Sequence, residues 1–118
     1  MLFRSSFQDN NKRGAIMGYR LRFVQHFDKK DSEAFLRLEK KFMELEHNES
    51  DLVAARRFVP VSGKLPTNTL IWEADFPTMA EVTAFMETLE QNVAHDELLE
   101  QQILYMTDYY VEILKELL

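Results

Sequence analysis

Arg22, His26 and Glu73 form the sharpest constellation for proton transfer that this sequence offers. Arg22 and His26 stand four residues apart in Tyr19-Arg20-Leu21-Arg22-Phe23-Val24-Gln25-His26-Phe27, and Glu73 follows much later in Leu70-Ile71-Trp72-Glu73-Ala74-Asp75. An imidazole between a guanidinium and a carboxylate can act as a general base, or it can orient an anionic or phenolic substrate. Arg57 adds a further cation, and the pair Tyr109-Tyr110 adds phenols, of which one must face the opposite side of a strand from the other. The catalytic candidates are therefore His26 and Tyr109. The ligand-binding candidates are Arg22, His26, Arg57 and Glu73. The structural reading is simpler: Arg22 and Glu73 form a buried ion pair with His26 hydrogen-bonded near its rim, since such networks perturb titration without catalysing anything.

The remaining histidines offer less. His95-Asp96-Glu97 has the composition of a metal cluster, but adjacent residues on a helix point to different faces and do not converge. A helix start on the surface, with acids favoured by the helix dipole, fits better. His47 falls in a turn. No Gly-rich phosphate loop, nucleophile elbow or convergent metal set occurs, so neither a metal nor a cofactor is expected.

The elements that must position these residues follow from periodicity. In the first segment Tyr19, Leu21, Phe23 and Phe27 share one face of an extended strand, and Arg20, Arg22, Val24 and His26 share the other. Asp31 or Ser32 then caps a helix with the apolar stripe Phe35, Leu38, Phe42 and Leu45, running through Glu46. Ala54 to Val61 reads as a second strand, which Pro60 confines to a sheet edge or ends. A loop from Ser62 to Asn68 leads to a third strand, Thr69 to Phe76. Thr78-Met79-Ala80-Glu81 has the form of a capping box, and Val82, Phe85, Met86 and Leu89 continue from it as a helical stripe that Asn92 could end. A further helix runs from about Asp96 to Met106. The last segment has two readings: a helical period reaches Leu117, yet Tyr109 to Ile113 is aromatic and β-branched like a strand. Trp72 and Phe85 are expected in the core.

Bulk properties bound the function. A chain of 118 residues is one domain, read as a leader over 1–16 followed by a folded unit over 17–118, with Met17 able to serve as the first residue. It contains no cysteine, which removes disulfides and thiol chemistry and fits a cytoplasmic protein. A net charge of -6 argues against nonspecific nucleic-acid binding, and no apolar run reaches membrane-spanning length. After Trp72 the only Lys or Arg is Lys115, so a basic front half can meet an acidic back half within one fold or across a dimer.

The order strand, helix, strand, strand, helices, strand is that of an α+β, ferredoxin-like βαββα(α)β unit: a four-stranded antiparallel sheet with helices on one face. The other face would carry Arg22, Val24, His26, Arg57, Val59, Ile71 and Glu73, a mixture that two sheets packed face to face in a homodimer would bury. The hairpin ending in Leu70 to Asp75, the helix after it, and Ala94 to Leu99 running into Tyr109 to Ile113 resemble NIPSNAP-type members of the dimeric α/β-barrel superfamily. That resemblance implies a final strand, a homodimer formed through the sheets, and a small-molecule ligand held between sheet and helices or within the barrel. Relatives in the superfamily include cofactor-independent monooxygenases of the antibiotic-biosynthesis type, haem-degrading enzymes and ligand-sensing modules. Two functions are therefore expected. One is a cytoplasmic homodimeric module for ligand binding or interaction. The other is a monooxygenase-like enzyme acting on a small aromatic or polyketide-like substrate.

Overall fold

A computed structural model describes residues 18–117, so the expected leader lies outside the described residues. The strands are β1 (Tyr19–Phe27), β2 (Arg56–Phe58), β3 (Thr69–Phe76) and β4 (Met106–Lys115). The helices are α1 (Ser32–Asn48), α2 (Met79–Gln91) and α3 (Val93–Gln102), with single 3-10 turns at Lys29–Asp31 and Ile103–Tyr105. All pairings are antiparallel, in the spatial order β2-β3-β1-β4. The arrangement is the expected ferredoxin-like one, and the ambiguous last segment is a strand.

Alternation places the core. Register sets Leu21 beside Ala74 and Phe23 beside Trp72, so these residues share one face of the sheet. There Leu21, Trp72, Ala74 and Phe76 pack with Val82, Phe85 and Leu89 of α2 and with Leu52. Trp72 lies between Phe23, at a centroid distance of 4.7 Å, and Phe85, at 5.9 Å. A second cluster, Phe27, Phe35 and Leu70, anchors the start of α1. Each such side chain contributes roughly 1.5–3 kcal/mol on burial. Trp72 and Phe85 are core residues, as expected.

Caps set the helix ends. Thr78 Oγ1 accepts the Glu81 backbone N–H at 3.2 Å. Asn92 serves twice: its N–H donates to Leu89 O at the end of α2, and its side-chain oxygen accepts the His95 N–H at 2.9 Å to open α3. The third helix thus begins three residues before the expected Asp96. The second strand is shorter than Ala54 to Val61, because the chain leaves β3 after Phe58, just ahead of Pro60. In the loop that follows, Gly63 has φ +117°, a conformation that side chains with a Cβ rarely adopt.

Candidate functional site

The register decides which expected site residues meet. Arg22 stands opposite Glu73 on β3 and Glu112 on β4, on the face away from the helices. Its Nε donates to Glu73 Oε2 at 2.8 Å, and its Nη1 to Glu112 Oε1 at 3.3 Å. Arg20 extends the row, with Nε and Nη2 donating to the two Asp75 oxygens at 2.8 and 3.2 Å and Nη1 3.6 Å from Glu73. Arg56 on β2 closes it, 3.8 Å from Asp75. Three guanidiniums and three carboxylates therefore alternate across all four strands. The hydrogen bond to Asp75 holds the Arg20 guanidinium above its ordinary pKa, against the opposing effect of partial burial.

His26 does not join this row. It lies four residues along β1 from Arg22, about 13 Å at the usual rise per residue. Its Nδ1 is 2.7 Å from Thr69 Oγ1, and its ring is tilted at 52° to Tyr110, 6.1 Å between centroids. Nε2 has no hydrogen-bond partner among the described residues. Thr69 is wholly buried, so it fixes the ring orientation from below. In the tautomer whose Nδ1–H donates to Thr69 Oγ1, Nε2 carries the lone pair and can accept a proton. The phenol beside it belongs to Tyr110. Tyr109, the expected candidate, stands opposite Gln25 on the helix side.

Arg57 also departs from expectation. It pairs in register with Trp72, which puts it on the helix side and away from Arg22 and Glu73. There it forms the centre of a buried cluster that sequence reasoning missed. Arg57 Nε donates to Glu39 Oε2 at 2.6 Å, while Nη1 and Nη2 donate to the Glu46 carboxylate at 2.9 and 2.6 Å. Glu46 also accepts from Trp72 Nε1 at 3.1 Å and the Ala55 N–H at 3.2 Å, and Glu39 accepts from Gln102 Nε2 at 2.9 Å. Burial opposes the Arg57 charge, but bonds and charges from Glu46 and Glu39 more than offset it, leaving the guanidinium above its ordinary pKa. Glu39 and Glu46 lie seven residues apart on α1, on the stripe side of that helix. This spacing was the signal available in the sequence.

His95 is half-buried rather than exposed, because α3 turns it inward against α1. Its ring meets Phe42 edge-on at 5.1 Å, and Nδ1 is buried without a hydrogen-bond partner. Burial lowers its pKa below 6.5, with Asp96 and Glu46 partly opposing the shift. His47 is exposed, but it lies in the last turn of α1, which runs to Asn48, rather than in the expected turn. Among the described residues no group of three or more His, Asp or Glu converges on a metal position. No described helix is long and apolar enough to cross a membrane. Two concavities, of about 470 and 290 Å³, open on the helix side of the molecule, and neither is lined by His26.

An antibiotic biosynthesis monooxygenase superposes with a TM-score of 0.68 at 12% identity, covering 84% of this chain and 98% of that one. A NIPSNAP family protein from Agrobacterium tumefaciens gives 0.65 at 11% identity, covering 86% and 87%. A NIPSNAP domain protein from Burkholderia xenovorans gives 0.62 at 13%, covering 81% and 91%. The likeness is one of fold. It includes both groups that the resemblance in Leu70 to Asp75 and Ala94 to Ile113 suggested. No family model and no curated protein matches the chain.

Proposed function

We propose that this protein is a noncatalytic homodimeric module of the cytoplasm, in which two sheets meet by the faces that point away from the helices. The observation that carries this reading is the charge row. Arg20, Arg22 and Arg56 are each committed to carboxylates on neighbouring strands, so the face presents little net charge to a second copy. Beside the row lie Phe58, 44% exposed, and Leu114, 39% exposed, together with Ile71. A neutralised row flanked by apolar side chains suits association with another such face, and the space between would serve a ligand. Placing a carboxylate in each apolar position by Phe58→Asp and Leu114→Asp weakens association by about tenfold or more, read by light scattering across a dilution series. Unchanged association in the double variant would remove the sheet face from the interface.

One observation favours catalysis instead. His26, oriented by Thr69 and open at Nε2 beside Tyr110, could deprotonate a phenolic substrate so that it reacts with oxygen without a cofactor. Oxygen uptake with an activated phenol, lost in His26→Gln, would support that reading. Equal uptake in both proteins would dismiss it.

A further inference from the structure

Two groups of basic residues stand out among the described ones. The sheet arginines are all paired, as described above. On the outer side of α1, Arg37 and Lys41 are exposed and have no ion-pair partner among the described residues. They stand one helical turn apart, an arrangement in which like charges repel. Both line the 290 Å³ groove between α1 and the Gln101–Tyr105 stretch. Leu38 and Leu104 give that groove an apolar lining, Gln101 and Tyr105 add an amide and a phenol, and no carboxylate among the described residues lines it. In a chain with a net charge of -6, a groove whose charged lining among the described residues is Arg37 and Lys41 is a local reversal of sign.

We propose that this groove binds a small organic carboxylate carrying an aliphatic body. The Arg37 guanidinium offers two parallel N–H donors to a carboxylate, and Lys41 adds a point charge one turn away. Leu38 and Leu104 meet the apolar part of the ligand. The volume falls just below the usual range for drug-sized ligand pockets, so the ligand is small. The groove belongs to the helix layer of a single chain. Its occupancy therefore does not depend on whether two sheets associate, and either proposal can fail alone.

The test is a titration of the full-length protein with sodium octanoate, followed by calorimetry and by amide chemical shifts. Saturable binding with a dissociation constant of about a millimolar or tighter is expected, with shifts centred on Arg37, Lys41 and Gln101. Arg37→Gln with Lys41→Gln weakens it by about tenfold, and Arg37→Lys keeps part of the affinity because it retains the charge without the fork. Lys40→Gln, next to the groove but not lining it, leaves affinity within about twofold. All these side chains are exposed, so folding is checked by the melting curve of each variant. Acetate and sulfate bind more weakly than octanoate. Three results would each overturn the proposal: no saturable octanoate binding, binding unaffected by the double substitution, or acetate and sulfate binding as tightly as octanoate.

Discussion

At the scale of single residues, Arg57 carries more structural consequence than the other expected site residues. It holds two carboxylates of α1 against the sheet in a region where its own side chain is 11% exposed. Arg57→Met leaves Glu39 and Glu46 buried beside each other without a cation. The expected loss is about 3–5 kcal/mol in chemical denaturation, followed conveniently through the indole that shares Glu46. His95 gives a pH dependence whose sign is fixed by its lowered pKa. Below 6.5 the unfolded chain takes up a proton on this imidazole more readily than the folded chain does, so stability falls as pH drops through that value and towards the folded pKa. Comparing melts of wild type and His95→Leu between pH 7.5 and pH 5 isolates this contribution, as approximate limits of the usual histidine range. The variant should lose the part of the slope that wild type shows there. Neither role was legible beforehand. The position of His95 depends on where α3 begins, and Asn92 starts that helix earlier than the apolar periodicity suggests.

At the scale of elements, the strands with strict alternation and the helix with a side-chain cap were readable, because their pattern is local. β1 and β3 occupy the expected residues, and Thr78 caps α2 as expected. β2 was not readable in the same way. Its face depends on register, and shifting an assignment by one residue turns every side chain to the other side. Arg57 was therefore assigned to the wrong face, although the strand and its edge position were foreseen. β4 had two local readings, and pairing with β1 along its whole length settles them in favour of strand. Asn92 is the junction on which α2 and α3 both depend, and it also donates to Glu49 Oε1 at 2.8 Å. Asn92→Ala should cost about 1–2 kcal/mol of stability, with faster amide exchange concentrated at the start of α3. Uniform exchange with an unchanged start of α3 would show that the cap is not what holds the junction.

At the scale of the whole molecule, the ferredoxin-like fold was legible from element order, and likeness to known structures supports it without reaching the level of function. The candidate site was legible only in part. Arg22 and Glu73 meet, whereas His26 stands apart with Thr69 and Tyr110, and Arg57 lies through the sheet from them. Opposite charges from the two halves of the sequence do meet within one chain, at Arg20–Asp75 and Arg22–Glu73. The arginines of that face are thus already paired within one chain, beside the exposed apolar Phe58 and Leu114. Sedimentation equilibrium of the full chain at micromolar concentration tests this account most directly. A mass of twice the 14.0 kDa chain is the predicted result, and a species that stays at 14.0 kDa would contradict it.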